Sequence, residues 1–202
     1  MKIFITGGAG FIGSNSAHHF AAQGHHITIY DNLSRIGGQA NLDWLRQNHP
    51  DSLTFVRGDV RDYDHLAQAI AAADVVLHLA SQVAVTTSVQ NPREDFEINA
   101  LGTFNVLEAV RHHAPHAAVL YASTNKVYGG MEDVGVIQQE NRYAYANHPY
   151  GIGEEYPLDF HSPYGCSKGT GDQYTIDYAR IYGLRTLVFR QSCIYGPRQF
   201  GV

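Results

Sequence analysis

The chain has 202 residues, 44% of them hydrophobic and 16% charged, with 14 Lys and Arg against 19 Asp and Glu for a net charge of −5. Disorder is excluded, because disordered chains pair low hydrophobicity with high charge, and a mildly acidic chain lacks the basic footprint of a nucleic-acid binder. Two cysteines, Cys166 and Cys193, make neither a disulfide framework nor a four-Cys zinc site, and no apolar run is long enough to span a membrane.

The chain opens Met1-Lys2-Ile3-Phe4-Ile5, too short and too soon polar for a signal peptide, so a cytoplasmic, reduced setting is expected. Lys2–Thr6 reads as a first strand that runs straight into glycines. A helix over Gly10–Gln23, a strand over His26–Tyr30 and a helix over Ala40–Asn48 follow. Next come a strand at Leu53–Val56, a helix at Asp62–Ala72 and a strand at Val75–Leu79. One long helix is predicted over Pro92–His113, then a strand at Ala118–Tyr121. After the Gly- and Pro-rich stretch Gly129–Pro163, a helix over Tyr164–Tyr182 and a strand over Arg185–Phe189 complete the pattern. Strands alternating with helices predict βαβ units and a parallel sheet with right-handed crossovers. Loops as long as 129–163 are usually functional, and this one is read as an active-site wall.

Gly7, Gly10 and Gly13 follow the first strand and open the first helix in a G-x-x-G-x-x-G spacing. Such a turn lets a pyrophosphate approach backbone N–H groups at a helix N-terminus. The second strand ends at Asp31, placed to accept hydrogen bonds from both adenosine ribose hydroxyls and to repel a 2′-phosphate. NAD is therefore favoured over NADP, with nearby Arg35 able to soften the preference; a plain turn residue before Asn32 is the alternative. Asp59, just beyond the third strand, can meet an adenine amino group. Small residues after the fourth strand, at Leu79-Ala80-Ser81-Gln82, would let the dinucleotide pass.

Tyr164 and Lys168 stand at i, i+4 on one helical face. An ammonium beside a phenol is expected to lower its pKa from about 10 toward neutral, so that it can take a proton from a sugar hydroxyl. Thr124, at the end of the fifth strand, could polarise the substrate oxygen; Ser123 is the alternative for that role.

Gly7/Gly10/Gly13, Asp31, Gly58-Asp59, Leu79-Ala80, Asn99, Ser123-Thr124, Tyr164/Lys168 and Tyr195-Gly196-Pro197 together resemble the extended short-chain dehydrogenase/reductases that act on nucleotide sugars. The resemblance covers essentially the whole chain. It implies an α/β Rossmann fold, a doubly wound parallel sheet flanked by helices, over 1–190. Residues 191–202 would then begin a small C-terminal substrate lobe that is mostly absent. It implies NAD as a tightly held cofactor, with Thr124, Tyr164 and Lys168 as the reacting triad and Lys168 also on the nicotinamide ribose. It further implies cofactor contacts at Phe11, Ile12, Asn32, Leu33, Val60, Gln82, Ser123 and Gln191, and a supporting role for Asn99.

Within the family, sugar-nucleotide dehydratases carry Asp and Glu after the strand-end Thr; here those places hold Asn125 and Lys126, which cannot serve as acid and base near neutrality. Ser123–Gly129, the 40-residue gap from Thr124 to Tyr164, and Arg198-Gln199-Phe200 are instead similar to the family's 2-epimerases of CDP-dideoxyhexoses. The resemblance implies transient oxidation to a keto sugar and re-reduction on its other face. A 4-epimerase, a dehydratase or reductase of such a sugar, and an NAD-binding module without turnover are the alternatives. Relatives are much longer, so 202 residues reads as a truncation. A homodimer is implied through the apolar faces of Pro92–His113 and Tyr164–Tyr182. His112 and His116 are spaced as a ligand pair, but Pro115 lies between them and no third ligand is placed, so no metal is expected. Cys166 is read as a small helical residue.

Overall fold

The computed structural model describes residues 1–201. Its first half runs β1 (Lys2–Thr6), α1 (Phe11–Ala22), β2 (His26–Asp31), α2 (Gly38–Asn48), β3 (Leu53–Arg57), α3 (Tyr63–Ile70) and β4 (Val75–His78). The second half is α4 (Val85–Gln90), α5 (Pro92–Phe96), α6 (Gly102–His113), β5 (Ala118–Thr124), β6 (Val136–Gln138), β7 (Tyr143–Tyr145), α7 (Ser162–Tyr182) and β8 (Arg185–Gln191).

Six strands form one parallel sheet in the order β3-β2-β1-β4-β5-β8. The chain winds outward from β1 to β3, then returns to β4 on the other side of β1. The β1/β4 boundary is therefore the topological switch point, where the crevice of an open α/β sheet lies. Alternation along β1 feeds two cores. Ile3 and Ile5 pack with Ile27, Ile29, Leu42 and Leu45 on one face. Phe4 points the other way, into Val76, Val119, Leu66 and Val106. Each such side chain contributes roughly 1.5–3 kcal/mol by leaving water.

The strands are those read from the sequence, with β2, β3, β5 and β8 running one to three residues further and β4 ending one sooner. Helix α7 starts at Ser162, two residues earlier than expected, because Pro163 suits its first turn. The long helix predicted over Pro92–His113 is interrupted. Glu97–Leu101 forms a π-helical turn between α5 and α6, a widening that apolar periodicity does not register. Helix α4 was not anticipated; its run of Val, Thr and Ser has low helix propensity, and its place is set by packing against α7. The 129–163 stretch carries an antiparallel hairpin, β6 against β7, with Val136 opposite Tyr145. It is tied back to the body where Asp159 N–H donates to the Val127 carbonyl. Beyond β8, the final stretch lies across α1 and α2. Asn15 donates to the Pro197 carbonyl at 3.0 Å, and the Arg198 guanidinium sits 3.7 Å over the Trp44 ring.

Candidate active site

The glycine turn leaves β1 at Gly7, whose φ of +67° suits glycine, and its N–H donates to the Tyr30 carbonyl. Helix α1 packs so closely behind the turn that a Cβ on Gly13 would lie 2.2 Å from the Gly7 oxygen. A Cβ on Gly10 meets only the Gly7 oxygen, at 3.1 Å, and otherwise projects into open space. No side chain caps α1. Its first N–H groups and the positive end of its dipole therefore face a concavity that a phosphate fits.

Asp31 closes that concavity. Its Oδ2 accepts from Ala9 N–H at 3.0 Å and its Oδ1 from Leu33 N–H at 2.8 Å. Burial pushes its pKa up, against the pull of those two bonds. Each oxygen keeps a lone pair for a ribose hydroxyl. Leu33 holds the turn after Asp31 with φ +60°, and Arg35 is exposed and bears no ion pair among the described residues.

Three residues expected at the dinucleotide make these contacts within the protein. Asp59 accepts from Arg61 N–H, Nε and Nη2 and from Asn32 Nδ2, at 2.7–3.0 Å. Those four bonds fill the carboxylate's acceptor sites, and the Arg61 guanidinium holds its pKa down at about 2. Asp59 thus orders the Asn32 loop instead of offering a free oxygen. Val60 is in the core and its carbonyl accepts from Asn105. The Gln82 side chain turns inward, donating to the Ala84 carbonyl and to Asp95 Oδ1, both at 2.8 Å.

Asn99 lies in the π-helical turn, 1% exposed, and uses both ends of its amide. Oδ1 accepts from Ser81 Oγ at 2.8 Å and Gln82 N–H at 2.9 Å; Nδ2 donates to the Gln82 carbonyl and Asp95 Oδ1. The segment leaving β4 is thereby pinned. At its start, Thr6 Oγ1 accepts from the N–H groups of Leu79 and Ala80, and the Ala80 backbone closes against Gly7.

At the carboxyl ends of β1, β4, β5 and β8 lies a cavity of about 370 Å³, lined by Ile12, Leu79, Thr124, Tyr164, Lys168 and Gln191, among others. Phe11 is not part of this lining; its ring lies 3.5 Å from where a Cβ on Gly196 would stand. The 129–163 segment supplies none of the lining; that wall comes from Val83, Val85 and the residues after β8. A smaller hollow of about 160 Å³ at the opposite end of the sheet holds mostly Ala and core residues and no reacting group.

Thr124 and Ser123 divide the roles left open by the sequence. Ser123 Oγ donates to Asp172 Oδ2 at 2.7 Å, so its proton is spoken for. Thr124 Oγ1 accepts from Lys126 N–H at 3.2 Å and donates to Asn125 Oδ1 at 3.4 Å, and its nearness to the Tyr164 phenol pulls the phenol's pKa down. Burial outweighs that pull and holds the Tyr164 phenol above its ordinary value, with Asp95 adding to the rise. The expected lowering by Lys168 is not realised. Its ammonium is turned to the Ala122 carbonyl at 2.5 Å and lies 4.4 Å from the Tyr121 ring centroid. Lys168 is itself buried, and desolvation brings it to about 7 against the opposing charges of Asp172 and Asp95. It reaches the sheet because α7 approaches so closely that a Cβ on Gly171 would sit 2.6 Å from the Tyr121 hydroxyl.

The sequence reading missed Arg61, Asp95, Asp172 and Arg190. Arg190 Nε and Nη2 each donate to Asp172 at 3.0 Å, and Nη1 donates to the Tyr128 hydroxyl at 2.8 Å. Only the position of Asp172, one turn beyond Lys168, offered a signal. Of the histidines, His18 pairs with His49, His112 meets Glu108 and His116 meets Asp74, so the two suspected ligands diverge. Among the described residues no group of three or more His, Cys, Asp or Glu could hold a metal ion. No helix among them is long and apolar enough to cross a membrane. Cys166 and Cys193 are free and exposed.

Comparison with known proteins matches residues 4–201 to the family described as GDP-mannose 4,6 dehydratase. The chain is 50% identical to the CDP-paratose 2-epimerase of Salmonella typhi over 202 residues, covering 99% of this chain and 59% of that protein. It is 36% identical to a putative UDP-glucose 4-epimerase of Methanocaldococcus jannaschii, covering 98% of this chain and 57% of that protein. Among solved structures, the dTDP-glucose 4,6-dehydratase DesIV of Streptomyces venezuelae, with NAD and TYD bound, aligns with a TM-score of 0.81 at 30% identity; 98% of this chain and 58% of that one are covered. The Thermus thermophilus UDP-glucose 4-epimerase in complex with NAD aligns with a TM-score of 0.77 at 32% identity, over 99% and 58%. The chain thus spans under three-fifths of the length of these relatives.

Proposed function

The chain belongs to the GDP-mannose 4,6 dehydratase family, and from that premise we propose that it binds NAD and epimerises a nucleotide-activated sugar of the CDP-paratose kind. The observation that carries this reading is the convergence of Thr124, Tyr164 and Lys168 on one cavity at the switch point, with Asn125 and Lys126 at the places where a dehydratase needs an acid and a base.

The uncapped N-terminus of α1 and the Gly7–Gly13 turn would hold the pyrophosphate, Asp31 the adenosine ribose and Lys168 the nicotinamide ribose. Bound NAD would supply a hydride acceptor that later gives the hydride back. Tyr164 takes the sugar hydroxyl proton, and Thr124, which lines the same cavity, would polarise the same oxygen. The keto sugar then presents its other face, and the proton returns from Tyr164 to the re-formed hydroxyl, leaving the centre inverted. Burial favours the neutral phenol, and for Lys168, one turn away, to assist proton removal its ammonium has to turn from the Ala122 carbonyl toward the phenol.

Incubation with NAD and a CDP-dideoxyhexose tests the reading. Inversion at one carbon with no net build-up of NADH supports it. A stable keto or dehydrated sugar would replace it with the dehydratase reading, and NAD binding without product would leave a binding module.

The same reading includes a homodimer. Phe104 of α6 and Tyr174 of α7 meet edge to face at 5.8 Å, and both remain 38% or more exposed, as does Phe96. A second copy would cover them, and sedimentation velocity measures whether it does. The two exposed thiols suit a reduced, cytoplasmic setting.

A further inference from the structure

Lys168, Asp95 and Asp172 are buried charged groups, and the part-buried Arg190 is a fourth; they do not pair evenly. Asp172 is fully buried and forms a two-bond ion pair with Arg190; Ser123 Oγ and Gln173 Nε2 also donate to it. That carboxylate is satisfied and its charge is matched. Lys168 and Asp95 remain. Lys168 is 4% exposed and has three N–H donors, of which one is used, on the Ala122 carbonyl. Asp95 is 0% exposed; Gln82 Nε2 and Asn99 Nδ2 hold its Oδ1, while Oδ2 has no hydrogen-bond partner. Helix α5, which carries Asp95, packs against α7, which carries Lys168. An isolated buried charge is costly, so a buried carboxylate survives where a cation answers it.

We propose that Asp95 is the counter-charge of the buried Lys168 ammonium. Asp95 and Lys168 do not form a contact ion pair. Gln82 and Asn99 clamp the carboxylate, and the ammonium rests against the Ala122 carbonyl and the Tyr121 ring. Asp95 opposes the lowering of the Lys168 pKa by burial and also raises that of Tyr164, which fits one carboxylate acting on both. The other groups facing Lys168 are accounted for. Asp172 on the same helix raises the Lys168 pKa more than Asp95 does, but its charge is shared with Arg190 from β8, whereas that of Asp95 has no other cation. His78 from β4 is held near 3, and is therefore neutral, by burial and by Lys168 itself. Tyr121 from β5 is held neutral by burial. With Asp95 in place the lysine keeps more of its charge near neutrality; without it the lysine gives up its proton more readily. This holds for the chain alone and does not rest on the proposed function.

The chain has three lysines, Lys2, Lys126 and Lys168. Lysine labelled with 13C at Cε therefore gives three resonances, and a pH titration of the chain alone, without NAD or sugar, reads Lys168 directly. One lysine should titrate near 7. In Asp95→Asn its midpoint should fall by one pH unit or more, and in Asp95→Glu it should recover at least in part. An unmoved midpoint in a folded Asp95→Asn overturns the proposal, whatever becomes of the epimerase reading. If Asp95→Asn does not fold, Asp95→Asn with Lys168→Met decides. The double variant should fold and melt higher than Asp95→Asn alone, because both charges are then gone; no recovery overturns the proposal.

Discussion

Asn99 and Gln82 hold each other through a reciprocal pair of hydrogen bonds: Asn99 Oδ1 accepts from Gln82 N–H at 2.9 Å and Asn99 Nδ2 donates to the Gln82 carbonyl at 3.0 Å. One amide thus substitutes for a strand partner just where β4 has ended, and the π-helical turn is what brings it there. Replacing Asn99 by Ala leaves buried donors and acceptors of Gln82, Ser81 and Asp95 unmatched. We expect a loss of about 2–4 kcal/mol in urea unfolding, at roughly 1–3 kcal/mol per unsatisfied group with partial relaxation.

Two glycines of the cradle should separate folding from binding. Gly13→Ala drives a methyl into the Gly7 carbonyl, so both Tm and NAD affinity should fall. Gly10→Ala meets only the Gly7 oxygen at 3.1 Å and should keep a near-native Tm while losing NAD affinity by about tenfold or more, because the methyl projects into the space meant for phosphate. Calorimetric titration with NAD alongside thermal melts checks both; equal affinity in Gly10→Ala and the parent chain would place the phosphate elsewhere.

Tyr164→Phe removes the only phenolic hydroxyl lining the cavity and leaves its ring. Turnover of a nucleotide sugar should drop at least ~1,000-fold, within the range attributed to general acid–base groups, while NAD still binds. Parallel assays of turnover and NAD affinity test this, and activity within tenfold of the parent would remove Tyr164 from the chemistry.

The Arg190–Asp172 pair joins β8 to α7 and, through Ser123 and Tyr128, to β5 and the turn after it. Arg190→Leu strands a carboxylate that is 0% exposed and should cost about 3–5 kcal/mol, as removal of one partner of a buried pair does. Chemical denaturation measures it. Arg190→Leu combined with Asp172→Leu should cost less than Arg190→Leu alone.

His78 bridges Thr6 Oγ1 at 2.7 Å and Thr103 Oγ1 at 3.0 Å, and burial holds its pKa near 3. Its unfolded value lies near 6.5, so between about 6.5 and 3 the unfolded chain binds the extra proton and the folded chain does not. The contribution of neutral His78 is therefore fully present above pH 6.5 and declines on acidification by about 1.4 kcal/mol per pH unit. His78→Gln should be less stable than the parent at pH 7.5, and the difference should narrow by pH 5. A constant difference across that range would mean that the buried ring takes up a proton.

Much of this molecule was legible in its residues. Alternating apolar runs such as Ile3-Phe4-Ile5 and Val75-Val76-Leu77 identify strands because a strand's side chains face two sides with a period of two, and both sides are buried here. Gly7, Gly10 and Gly13 form the tight turn that their spacing predicts, because the backbone packs too closely there for larger side chains, and Asp31 ends the second strand against Ala9 N–H. Thr124, Tyr164 and Lys168, picked out by spacing and resemblance, line one cavity. What residues 1–202 could not disclose were the relations that depend on where distant segments meet. The Lys168 ammonium turns to Ala122 and Tyr121 and away from the Tyr164 phenol because α7 docks that closely on β5. Asp59 is consumed by Arg61, and Gln82 turns inward to Asp95. Arg190 finds Asp172 across 18 positions, and Asp95 is left with an unmatched oxygen beneath the site. Local preference selects the elements and the residue types at their ends. The protonation and orientation of the reacting groups follow from burial and from partners brought together only when the sheet closes against its helices.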